Sequence, residues 1–166
     1  GMKNPTSGDF TVMLNSVNAA QLPHRFIYRG FDVETEGNEL THTILRGRVN
    51  KFGNNSSNYH YEDLMKLHQM YGERNLENPA TIVDANHSNS DKQYKEQIRI
   101  VKEVLNSRCH SNDIRKLVKG VMIESYLVEG TQKIGCHPHI YGQSITDPCL
   151  GWEDSEKLLY EIAELC

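Results

Sequence analysis

His87, Glu124 and Asp147 are the side chains whose types suit metal chemistry. One imidazole and two carboxylates form a mixed nitrogen and oxygen set, suited to a borderline divalent cation such as manganese, iron, cobalt or zinc. His87 follows the apolar run Thr81-Ile82-Val83, inside the polar stretch DANHSNS. Glu124 interrupts the apolar segment VMIESYL, where a buried carboxylate must be paired, protonated or bound to a cation. Asp147 lies in the loop YGQSITDPCLGWED. Each also has a plainer reading: His87 as a helix cap, Glu124 as the partner of a lysine, Asp147 as a turn initiator before Pro148. Two cations have a similar character. Lys3 sits in GMKNPTSG and Arg46 ends LTHTILRG. Placed at strand ends near helix N-termini, they make an anion site, with arginine offering a bidentate fork to phosphate or carboxylate. Their plainer reading is as solvated surface cations.

Such a site needs elements that bring positions 3, 46, 87, 124 and 147 together. SGDFTVMLNSVNAAQL reads as a helix opened by Ser7, with Val12, Met13, Val17 and Ala20 on one face. HRFIYRGFDVETEG reads as two short strands turning near Gly30, and LTHTILRG as a further strand. NKFGNNSSNYHY reads as a long polar surface loop. YHYEDLMKLHQMYG is a helix closed by Gly72. ATIVDANHS is a strand, and DKQYKEQIRIVKEVLNS an amphipathic helix with Ile98, Val101 and Leu105 inward. KGVMIESYLVEG reads as a buried strand, and WEDSEKLLYEIAEL as a helix capped by Asp154 or Ser155. Alternating strand and helix argues for parallel βαβ units, whose chemistry sits beyond the strand C-terminal ends.

The 166 residues suffice for one domain, taken as 1–166, with a core of its own. A net charge of −4 gives no electrostatic case for a nucleic acid or an anionic membrane. No apolar run approaches the roughly 20 residues of a membrane span, and no signal-peptide pattern opens the chain. Cys109, Cys136, Cys149 and Cys166 form no CxxC pair, which argues against a zinc knuckle and for reduced thiols in a cytoplasmic setting. His137 and His139 in GCHPHIYG, beside Cys136, match no standard zinc spacing and read as a mobile loop.

The segments GMKNPTSGD, ILRG, IVDANHSNSDKQ, GVMIESYLVEGTQ and YGQSITDPCLGWEDSEKLL, in that order, resemble the C-terminal half of the type I 3-deoxy-D-arabino-heptulosonate 7-phosphate (DAHP) synthases. The resemblance spans nearly the whole chain. It implies the α/β fold of strands five to eight of a (β/α)8 barrel, with an inserted β-hairpin at 25–45. In some members that hairpin serves feedback control; it is shorter here, and no regulation is expected. The resemblance also implies a metal-dependent condensation of phosphoenolpyruvate with erythrose 4-phosphate, the first step of the shikimate pathway. His87, Glu124 and Asp147 match three metal ligands, and Lys3 and Arg46 match two residues that hold phosphoenolpyruvate. The family's fourth ligand is a cysteine that none of the four here matches, which weakens the metal site. A whole barrel takes roughly 250 residues. The expectation is therefore a half-barrel that works with a separate N-terminal half or as a homo-oligomer. The competing expectations are a non-catalytic remnant that at most binds metal or phosphate, and a metal-dependent aldolase of another family.

Overall fold

A computed structural model describes residues 1–135 and 138–165. Cys136, His137 and Cys166 lie outside the described residues, and with Cys136 and His137 the loop reading of that part of GCHPHIYG. In chain order the elements are β1 (Met2–Lys3), α1 (Phe10–Gln21), β2 (His24–Tyr28), β3 (Phe31–Thr35), β4 (Thr43–Leu45), β5 (Arg48–Val49), β6 (Asn55–Ser56) and α2 (Tyr61–Glu73). Then follow β7 (Thr81–Asp84), a 3-10 turn (His87–Asn89), α3 (Glu96–His110), α4 (Asn112–Leu117), β8 (Val118–Met122), β9 (Val128–Thr131), β10 (Gln143–Ser144) and α5 (Trp152–Leu165).

Four strands form one sheet in the order β1-β4-β7-β8, and every pairing is parallel. Parallel neighbours require helical crossovers, and α1 and α2 supply them between successive strands. α3 and α4 make the crossover into β8. Helix faces and sheet close over one core that includes Met13, Leu14, Val17, Leu45, Leu64, Leu67, Val83, Ile100, Val104 and Leu150. The βαβ alternation read from the sequence is thus the organising feature of the molecule.

Several local expectations are corrected. Helix α1 is capped by Asp9 and not Ser7: the Asp9 carboxylate accepts from the amides of Thr11 and Val12. Val12 faces outward, while Met13 and Val17 carry the buried stripe. Gly72 lies inside α2, which runs on to Glu73. Asp154 and Ser155 fall within the first turn of α5 and do not cap it; Ser155 Oγ bonds back to the Gly151 carbonyl at 2.8 Å. The polar segment before α2 is more than a surface loop. β6 lies within it and pairs with β5 just before it, and Asn58 and Tyr59 are buried.

The largest correction concerns KGVMIESYLVEG. Only Val118–Met122 is in the main sheet, as an edge strand that is mostly half-exposed. The chain then leaves the sheet, and Val128–Thr131 pairs with β10 instead. An apolar run reads as a fully buried strand only if both of its edges and faces are covered, and within the described residues β8 has a neighbour on one edge alone. The hairpin at β2 and β3 forms as read, through a two-residue Arg29-Gly30 turn in which both residues have positive φ.

Candidate functional site

The C-terminal ends of β1, β4 and β7 and the segment after β8 meet at one end of the sheet, and the five expected site residues are distributed there. Lys3 ends β1, Arg46 follows β4, His87 opens the turn after β7, and Glu124 lies two residues beyond β8. Asp147 comes from the loop between β10 and α5.

His87, Glu124 and Asp147 each bring a ligand-type atom within 4.8 Å of the others. His87 Nε2 is 3.6 Å from Glu124 Oε1 and 3.8 Å from Asp147 Oδ2. These separations are too long for hydrogen bonds. They fit donors around one shared cation: atoms about 2.1 Å from a single ion stand about 3 to 4 Å apart. Glu124 is therefore not a carboxylate stranded inside a strand. Gln97 brackets its backbone, donating to the Glu124 carbonyl at 3.0 Å and accepting from its amide at 2.8 Å. Asn86 Nδ2 donates to Glu124 Oε2 at 2.5 Å, and Lys92 Nζ to Asp147 Oδ1 at 3.1 Å. In each case one carboxylate oxygen is held and the other faces His87.

The His87 backbone has φ of +52°, a left-handed conformation for a residue with a Cβ. It is stabilised from β4. The Ser88 amide donates to the Arg46 carbonyl at 3.2 Å, and Gly47 passes so close that a Cβ there would lie 2.6 Å from the Asn89 nitrogen. That approach, with φ of +79°, requires glycine.

Lys3 and Arg46 flank the same end. Lys3 Nζ donates to Asp84 Oδ2 at 2.9 Å. The Arg46 amide donates to Asn4 Oδ1 at 2.9 Å, while its half-buried guanidinium has no hydrogen-bond or ion-pair partner among the described residues. A fixed backbone with an uncommitted planar fork is an arrangement that suits an anionic ligand.

Sequence reasoning missed the residues that hold this set in place. Asp84 is buried, and its Oδ2 lies 2.9 Å from both Lys3 Nζ and His87 Nδ1. Asn86 is buried and joins Glu124, Ser90 and the Pro148 carbonyl. Asn4, Asn58 and Asn89 form a buried chain. Asn58 Nδ2 donates to Asn4 Oδ1 at 3.1 Å, and the Asn58 amide donates to Asn89 Oδ1 at 3.0 Å. Asn89 Nδ2 donates in turn to the carbonyls of Leu45 and Asp84. The available signal was the density of amides at strand ends, since an amide both donates and accepts.

Cys149 lies close by, its Sγ 3.4 Å from the Asp147 carbonyl oxygen. Burial pushes its thiol pKa up, and the charges of Glu124 and Asp147 add to the rise. It therefore stands beside the acidic cluster as a neutral thiol. No helix of the described residues is long and apolar enough to cross a membrane.

The sequence model of the DAHP synthetase I family matches residues 1–160. A phospho-2-dehydro-3-deoxyheptonate aldolase of Haemophilus influenzae is 41% identical over 170 residues, covering 99% of this chain and 44% of that protein. The Trp-sensitive phospho-2-dehydro-3-deoxyheptonate aldolase of Escherichia coli is 35% identical over 98% of this chain and 46% of its own length. The structure of the corresponding aldolase from Francisella tularensis superposes with a TM-score of 0.85 at 34% identity, again over 98% of this chain and 46% of that one. The chain thus spans a little under half the length of these relatives. With nearly all of its residues matched by the family and its fold shared with a solved relative, the chain belongs to the DAHP synthetase I family.

Proposed function

We propose that this chain contributes the metal centre and part of the phosphoenolpyruvate site of a DAHP synthase, which condenses phosphoenolpyruvate with erythrose 4-phosphate. The observation that carries this reading is the convergence of His87, Glu124 and Asp147 at one end of a parallel sheet. In this reading β1, β4, β7 and β8 are strands five to eight of a (β/α)8 barrel. The chain spans less than half the relatives' length, so the reaction belongs to the assembled barrel and not to these residues by themselves. A second copy or a separate N-terminal half covers the open edges of the sheet.

His87, Glu124 and Asp147 would hold the divalent cation, be it manganese, iron, cobalt or zinc. When bound, the cation supplies Lewis acidity toward the aldehyde of erythrose 4-phosphate. Glu124 and Asp147 give the site the negative charge a divalent cation needs, and His87 adds the nitrogen that favours a transition metal. Lys3 and Arg46 neutralise and orient the phosphate and carboxylate of phosphoenolpyruvate, so that its nucleophilic carbon faces the aldehyde. Arg46 suits this role because its guanidinium is uncommitted, whereas Lys3 reaches the site already paired to Asp84. Fixed cations cost no reorganisation as charge moves during the reaction.

The test is a manganese titration by calorimetry, with phosphoenolpyruvate consumption measured in the presence of erythrose 4-phosphate. The expected result is manganese binding by the chain that falls more than about 100-fold in His87→Ala, exceeding the loss typical of an outer-shell partner. Equal binding by wild type and variant overturns the metal assignment. Manganese binding without consumption, even beside the complementary half of a relative, favours a non-catalytic chain.

A further inference from the structure

The environment of Asp84 points to a role not yet assigned. Its carboxylate is fully buried, yet three nitrogens of different kinds approach it, two of them as hydrogen-bond donors. Oδ1 accepts from the Asn86 amide at 3.0 Å, and Oδ2 lies 2.9 Å from both Lys3 Nζ and His87 Nδ1. A buried charge of this sort is costly unless its partners are fixed. An ionised carboxylate has only lone pairs to offer, so each neighbour must present a hydrogen. An imidazole nitrogen bonded to it would carry the proton, which would leave the other nitrogen, Nε2, as the lone-pair donor. Nε2 is the atom that faces Glu124 Oε1 and Asp147 Oδ2. His87 Nδ1 is buried and has no aligned hydrogen bond despite the 2.9 Å contact, so the inferred bond requires a small turn of the ring.

We propose that Asp84 is a positioning residue for the metal centre: it holds the His87 imidazole with Nε2 presented to the cation, and docks Lys3 beside it. This rests on the metal reading of His87, Glu124 and Asp147. One side chain then serves both halves of the site, since the lysine on β1 and the histidine after β7 are oriented by the same oxygen. Asn86 does the equivalent for Glu124, holding Oε2 so that Oε1 remains turned to His87.

The experiment is manganese calorimetry on the 166-residue chain, comparing wild type with Asp84→Asn, Asp84→Asn/Lys3→Met and His87→Ala, each first shown to be folded by circular dichroism. Asp84→Asn keeps the shape but offers an amide to the ring, which favours the wrong tautomer. The expected loss is about 10- to 100-fold in affinity. The double variant restores the local charge balance, so its affinity stays low if orientation is what Asp84 supplies. An unchanged affinity in Asp84→Asn, or its recovery in the double variant, overturns the inference while leaving the metal site intact. Absence of binding in wild type, or no loss in His87→Ala, overturns the metal reading and this inference together. If Asp84→Asn does not fold, nitrogen-15 NMR of the zinc-loaded wild-type chain decides. Zinc on Nε2 with a slowly exchanging Nδ1 proton is expected. Zinc on Nδ1, or a rapidly exchanging Nδ1 proton, overturns the inference.

Discussion

Under the proposed metal site His87 carries two demands: it donates a nitrogen, and it occupies φ of +52°. Left-handed backbone costs a residue with a Cβ about 1 kcal/mol, and such strain gathers where function over-determines the geometry. This sets a prediction at the residue scale. His87→Ala and His87→Gly both lose the proposed ligand, but glycine adopts the turn without strain. In urea unfolding His87→Gly is expected to be more stable than His87→Ala by about 1 kcal/mol. Equal stabilities would mean that the turn relaxes away from the left-handed region. Asp91 and Lys92, also at positive φ, extend the strained stretch toward the Lys92–Asp147 pair. The three side chains that converge were legible as candidates in the sequence because imidazole and carboxylates after strands are unusual enough to notice. Asp84 was not legible as a positioning group. A single aspartate at the end of TIVD reads as a strand terminator, and only folding brings Lys3 to it from 81 residues away.

At the scale of elements, the polar groups crowding the end of β7 each have a particular partner. Asp84 takes Lys3, Asn86 takes Glu124, and Asn89 takes two carbonyls and the Asn58 amide. The strand ends in polar residues because four chain segments converge there, and their backbone groups need partners once water is excluded. Asn58 is the keystone of this lacing. Its Oδ1 accepts from the Gly47 amide at 2.8 Å and its Nδ2 donates to Asn4. Asn58→Ala leaves the Gly47 amide buried without a partner, and the expected loss is about 2 kcal/mol of stability by urea titration. Asn58→Asp is expected to fare no better, since it replaces a donor to Asn4 Oδ1 with an acceptor. A change below about 0.5 kcal/mol would show that water replaces the amide. The periodic helices α1, α2, α3 and α5 were legible from their apolar spacing. The caps and the hidden role of NSSNYHY were not, because local polarity is the same whether a segment meets solvent or a buried amide network.

Over the whole molecule, the parallel order β1-β4-β7-β8 leaves β1 and β8 with one strand neighbour each among the described residues. Large apolar side chains stand exposed near the β8 side, among them Tyr126, Leu127, Tyr141 and Trp152, which line a common hollow. The alternation of strands and helices made the parallel sheet legible. The early end of β8 was not, since VMIESYLVEG carries the composition of a covered strand, and among the described residues no second strand pairs with β8 beyond β7. Unpaired edges and apolar surface of this kind favour association. The predicted outcome is a sedimentation-velocity profile that shifts to larger species between nanomolar and micromolar chain, and a single monomeric species throughout would overturn it. One consequence lies in mass action. If part of the fold is completed only by another chain, the melting temperature is not a constant of the sequence but a function of how much protein is present. Dilution then acts on this chain as a mild denaturant, and the steepness of that dependence measures how much of its stability is borrowed.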